Sequence, residues 1–229
     1  MIHYVFSPKW FYGIDIIFEL FSLIIAFLIA RYGYKLYRIS GKKKHKYFSV
    51  FFSLIGTAFI FKIITNFDIY YMNKASIKIA NTMFYFETSH ISEILFTTGF
   101  SVFKFLMMLS FFGLLYITWR KKSEIFWLGV YFISVITVFS YHAYYVFHIT
   151  MVVMLLFLFN YYYRNYKHRS PANREPFLTA ASFFMLMLSQ AAFTAIAMDI
   201  TMYVAGEILQ TMGYSLLLYD YILVTRNEK

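Results

Sequence analysis

The sequence has no cysteine, which excludes disulfides, thiolate nucleophiles and thiolate metal sites. It has only three prolines, Pro8, Pro171 and Pro176, and none falls inside a long apolar run. Proline-kinked helices are therefore not expected, nor are the matched Gly/Pro-broken spans of many transporters. Charge is scarce. Asp, Glu, Lys and Arg make up 14% of the 229 residues, against roughly 25% in soluble globular domains. The isolated glycines are spaced for packing rather than for cradling a phosphate, and no HExxH or paired HxxxH motif occurs.

What is present is apolar and aromatic, at 61% and 24% of residues. The apolar residues lie in long, nearly uninterrupted runs, the pattern of membrane spans. A net charge of +10 suggests nucleic acid, but the charges sit in short clusters between apolar runs rather than along a domain face, so no nucleic-acid partner is expected. The first run contains Asp15 and Glu19, is too long for a signal-peptide core and ends in a basic cluster. It reads as a first transmembrane helix rather than a cleaved leader.

A hydrocarbon core of about 30 Å takes roughly 20 helical residues. Seven runs approach or exceed that, near residues 12–37, 47–67, 93–119, 123–140, 141–163, 176–198 and 205–225. The expected fold is all-α, one polytopic membrane domain over residues 1–229 with seven transmembrane helices. The junction between the fourth and fifth runs, SYHAYY at 140–145, has no charged residue, and the count of seven requires it to turn. Basic residues cluster after the first run (Arg38, Lys42, Lys43, Lys44, Lys46), after the third (Arg120, Lys121, Lys122) and after the fifth (Arg164, Lys167, Arg169, Arg174). The alternate links hold only Lys74 and Lys78. The positive-inside rule then places the N-terminus outside and the C-terminus in the cytoplasm of a cell membrane. The long link at 68–92 reads as an external loop with interfacial aromatics or as a short amphipathic cap.

One stretch is written twice. EILFTTGFS at 93–101 and EILQTMGYS at 207–215 share six identical positions. RYGYKLYR at 31–38 and NYYYRNYK at 160–167 share three tyrosines, and the same displacement pairs Glu19 with His148. Tyrosines and basic residues recur at membrane interfaces for general reasons. A glutamate heading an apolar run is less common, so the matches together point to a 3+1+3 parallel repeat with halves at about 12–119 and 141–225. In layout the chain resembles the seven-helix proteins of that plan, the SWEET-type sugar transporters and the opsin- and receptor-like proteins. The resemblance covers the whole chain at the level of topology, without a family motif. The Pro-Gln pair of the transporters is missing, as is a retinal-type lysine in the last helix.

Ionisable groups in spans are expensive and are functional candidates by default. The candidates for ligand or ion binding are Asp15, Glu19, Lys62, Glu93, Lys104, His142, His148, Gln190 and Glu207. The repeat makes Glu93 the mate of Glu207, and an outward-facing polar cavity is expected, with Lys62 and Lys104 neutralising carboxylates. Structural ion pairing is the alternative, and Glu93 and Glu207 also suit helix N-termini. His142 and His148 lie about 240° apart around a helix, which argues against a metal centre, and no cofactor is implied. The functional expectation is a transporter of a small polar solute or cation. The alternative is a receptor-like sensor, which would need a separate cytoplasmic partner because only TRNEK follows the last run. No enzymatic activity is expected. The bilayer itself, anionic lipid at the basic face and a homo-oligomer complete the expected partners.

Overall fold

The computed structural model describes residues 7–74, 89–119, 123–140, 143–167 and 175–227, with side chains described outside 68–74, 89–95, 123, 175 and 227. Among these described residues seven α-helices run in order: α1 (Ile14–Ser40), α2 (Lys43–Lys74), α3 (Ser89–Trp119), α4 (Ser123–Phe139), α5 (Tyr144–Lys167), α6 (Glu175–Thr194) and α7 (Thr201–Asn227). Short 3₁₀ turns stand at Lys9–Phe11, before α1, and at Ala195–Ala197, after α6. The chain is all-α as expected, and the fourth and fifth helices are separate, α4 ending at Phe139 and α5 starting at Tyr144.

Local chemistry sets the ends. Gly41 closes α1 in the left-handed region at φ 67°, and its N–H donates to the Tyr37 carbonyl at 2.8 Å. That is the conformation glycine adopts without a Cβ penalty. The chain then re-enters a helix at Lys43, so most of GKKKHK is the first turn of α2 rather than a loop. Pro176 is the second residue of α6, a position where a missing N–H removes no intrahelical bond. Ahead of α7, the Asp199 carboxylate accepts the Thr201 N–H at 2.8 Å, a cap that starts the helix earlier than its apolar run. Within the spans Ser53, Thr57, Ser110, Thr118 and Thr150 each donate to the carbonyl one turn back. Their hydroxyls are thereby satisfied without water.

The largest interfaces join α1 to α2, α2 to α3, α5 to α6 and α6 to α7. Contacts of α1 with α7 and of α3 with α5 close these two triplets into a ring of six, and α4 lies outside it against α3. The distribution of side chains is the reverse of a soluble protein's. Ile17, Leu20, Phe21 and Ile24 on α1, and Trp127, Leu128, Phe132 and Phe139 on α4, are exposed, whereas Asp15, Glu19, Lys62, Lys104, Glu207 and Asp220 are buried. Four segments, Lys43–Phe67, Phe96–Trp119, Tyr144–Lys167 and Pro176–Ala197, are each long and apolar enough to cross a bilayer. α1 and α7 are as long, at 27 residues each, but carry buried acids. This is a membrane-embedded helical bundle.

Asp199 is fully exposed at the α6–α7 junction, and the Thr201 N–H holds its carboxyl below the ordinary value. A group so lowered stabilises the fold above its unfolded value, near pH 4, and loses that contribution as pH falls through the lower folded value. The Thr201 amide resonance should therefore titrate with a midpoint below that of a free aspartate, and Asp199→Asn should abolish the titration.

Candidate functional site

The buried charges converge at one point. Lys62, on α2, places Nζ 2.5 Å from Glu207 Oε1 of α7 and 3.0 Å from Glu19 Oε1 of α1. Asn66, one turn further along α2, donates to the same Glu19 oxygen at 2.7 Å. Both glutamates are 0% exposed. The second oxygen of Glu19, Oε2, has no hydrogen-bond partner among the described residues, whereas Glu207 also has the Tyr203 hydroxyl beside it. One ammonium thus answers two buried carboxylates, in a setting where a charge pair is worth far more than in water and any charge left unpaired would be costly.

Aromatic rings enclose this centre. Lys62 Nζ lies 5.8, 5.5 and 5.8 Å from the ring centroids of Phe103, Phe193 and Tyr203, within reach of favourable cation–π attraction. On one side Phe11, Phe193 and Tyr203 form a small apolar cap. On the other, the rings of Tyr214, Phe59, Phe103 and Phe147 make a continuous floor across α7, α2, α3 and α5, with successive centroids 5.7, 6.4 and 5.9 Å apart. The cap needs Gly206: a Cβ there would stand 2.5 Å from Phe193 Cε1. The centre is therefore occluded on both sides in this conformation.

Beside the ion pairs lies an amide–imidazole chain. His148 Nδ1 of α5 is 2.8 Å from Gln190 Oε1 of α6, and Gln190 Nε2 donates to Gln210 Oε1 of α7 at 3.5 Å. Phe193 stands between the two groups, 5.3 Å from the His148 ring. Ser22 and Thr211 hydroxyls, 3.4 Å apart, add a polar contact between α1 and α7.

Of the sequence candidates, Glu19, Lys62, Glu207, His148 and Gln190 come together. Asp15 is buried one turn before Glu19, close enough to act on both Glu19 and Glu207, and its Oδ1 also accepts the N–H groups of Gly13 and Ile16 at 3.0 and 2.9 Å at the start of α1. Among the described residues Lys104 makes no ion pair with a carboxylate, unlike the expectation. Its Nζ donates to the Ser140 carbonyl at 2.8 Å and lies 4.5 Å from the Phe100 centroid, tying α3 to the chain just past α4, a carbonyl-rich end that favours a cation. Glu207 is no N-terminal cap, since α7 begins at Thr201 and carries it into the second turn. His142 lies outside the described residues, as does the side chain of Glu93. Asn66 and Gln210 complete the site, and a polar residue one turn from a buried ion was the signal for the first. Asp220 was not a candidate, yet it is buried and its Oδ2 accepts the Thr179 hydroxyl at 2.5 Å. An acid within a span was the signal for it.

The chain matches no protein-family model, no curated protein and no solved structure.

Removing Lys62 leaves two neighbouring carboxylates without a counter-charge. Lys62→Met should therefore destabilise the purified protein by roughly 3–5 kcal/mol. The triple change Glu19→Gln, Lys62→Met, Glu207→Gln should recover much of that loss. Thermal unfolding in one detergent checks both. Gly206→Ala should cost about 1–3 kcal/mol by forcing Phe193 aside. The same melts read it, with Gly41→Ala excluded as a control because its backbone is itself special.

Proposed function

We propose that this protein is a multi-pass transporter of a small polar solute or cation in a cell membrane, with Glu19, Lys62 and Glu207 as its binding centre. The carrying observation is the occluded ion centre itself, where one ammonium is shared by two fully buried carboxylates. A cluster of that cost inside a span has its best rationale as a ligand or ion site. Occlusion on both sides by aromatic rings favours rocking between two closed-off states over an open pore.

In this reading all seven helices span, the basic links face the cytoplasm, and the chain is a 3+1+3 repeat with α4 as connector, as the resemblance to seven-helix transporters implies. The position of α4 outside the ring supports the repeat. In both triplets the mates Glu19 and His148 bond an amide on the next helix, Asn66 and Gln190, though the two amides are five residues out of the repeat's register. A receptor-like sensor is favoured by one feature of the same centre. A ligand that took Lys62's place would shift α2 against α1 and α7 without anything crossing the membrane.

The experiment is a thermal-shift screen of sugars, amino acids, nucleosides and monovalent cations, followed by liposome flux with each compound that stabilises. A cargo should raise the melting temperature of wild type but not of Glu207→Gln, and its uptake should fall in that variant to the level of empty liposomes. Specific stabilisation without flux would turn the reading to a sensor. A ligand bound equally by wild type, Glu19→Gln and Glu207→Gln would sink the site.

A further inference from the structure

The exposed face of α1 changes character part-way along its length. Leu20, Ile24 and Phe27 are exposed for the first turns, and the same face then continues as Arg31, Lys35 and Arg38. Residues at such three- and four-residue spacings stack on one side of a helix. Arg31, Lys35 and Arg38 line an open groove with Leu28, Tyr32 and Tyr34, all of them residues of α1. Among the described residues the only ion pairs are those of Lys62, so no carboxylate there answers these three cations.

Depth says what would. At 1.5 Å per residue, Arg31 lies about 25 Å along the axis from Ile14, close to the far edge of a hydrocarbon core about 30 Å thick. Arg38 lies roughly 10 Å further, in the headgroup layer. A lipid-facing arginine at the edge of the hydrocarbon needs an anion within reach of its long side chain. The apolar turns before it offer a track for an acyl chain, and a soluble anion has no use for that track. Arginine takes phosphate oxygens through its planar fork, and lysine adds a point charge. Three cations spread over roughly 10 Å of helix exceed the reach of one phosphate.

We propose that this groove binds an anionic lipid whose headgroup carries two phosphates, its acyl chain lying along Leu20, Ile24 and Phe27 and its phosphates bridging Arg31, Lys35 and Arg38. The site is separate from the Glu19–Lys62–Glu207 centre and holds whichever function that centre has.

The test is native mass spectrometry of the full-length protein released from detergent with cardiolipin, phosphatidylglycerol or phosphatidylcholine, and with inorganic pyrophosphate alone. Wild type should retain one cardiolipin in preference to the other lipids. The triple variant Arg31→Gln, Lys35→Gln, Arg38→Gln should lose it by at least about fivefold, the worth of a single basic residue beside an anionic surface. A control triple, Lys42→Gln, Lys43→Gln, Lys44→Gln, removes equal charge outside the groove and should bind as wild type. Equal losses in the two triples would reduce the effect to bulk charge and overturn the site. Pyrophosphate binding as tightly as cardiolipin would overturn the lipid assignment. Should the first triple fail to fold, Lys35→Gln alone carries the same comparison against Lys43→Gln.

Discussion

Lys62 is the constraint on which the rest of the bundle depends. Its ammonium is the shared partner of Glu19 and Glu207, residues from the first and last helices. In a low-dielectric interior neither carboxylate tolerates being left alone. α1, α2 and α7 must therefore meet at one height and in one rotational setting. Desolvation offsets much of the attraction in such a cluster, so its main product is register rather than net stability. The packing follows that register. Phe59 stands one turn from Lys62 along α2 and Tyr214 two turns from Glu207 along α7, and their rings meet edge to face at 5.7 Å. The floor across the ring begins from that contact.

Helix existence was legible because a bilayer demands long apolar runs, and all seven runs became helices. Their ends were less so. Apolarity marks where hydrocarbon stops, whereas the helix continues until a cap or a glycine stops it. Hence α2 starts at Lys43 among its basic residues, and α7 starts at Thr201 behind Asp199. Glu207 changed meaning with that shift, from a residue bordering an apolar run to one buried in the second turn of its helix. The residues of the site were also legible, because buried charge stands out against apolar neighbours. Their pairing was not. Nothing local distinguishes Lys62, which finds two carboxylates, from Lys104, which finds the Ser140 carbonyl. A backbone acceptor beside a helix end has no side-chain signature. Asp220 shows the converse, an acid that its apolar run does signal but whose tyrosine neighbours make the stretch read as an ordinary interface anchor.

The polar layers are unequal in what they ask of the fold. Thr179 and Asp220 join α6 to α7 by one hydroxyl–carboxylate contact, within a triplet that is already closely packed. The Glu19–Lys62–Glu207 centre instead crosses from one triplet to the other through the α1–α7 contact. Between the layers lies the floor of Tyr214, Phe59, Phe103 and Phe147, which also crosses from one triplet to the other. The seam that closes the ring opposite, α3 against α5, is the lesser of the two and holds the Phe103–Phe147 ring contact.

This asymmetry bears on how the bundle can rearrange. Parting α3 from α5 breaks apolar contacts, which lipid or another ring can replace. Parting α1 from α7 pulls a carboxylate away from Lys62, and an uncompensated buried charge costs several kcal/mol. A neutral solute brings nothing to offset that cost, whereas an incoming cation does, by taking over the carboxylate that Lys62 leaves. In the transport reading the α3–α5 seam is thus free to open on its own, and opening at α1–α7 is tied to the arrival of positive charge. The carboxylates of Glu19 and Glu207, already gathered around one ammonium, are where that charge would find its first ligands.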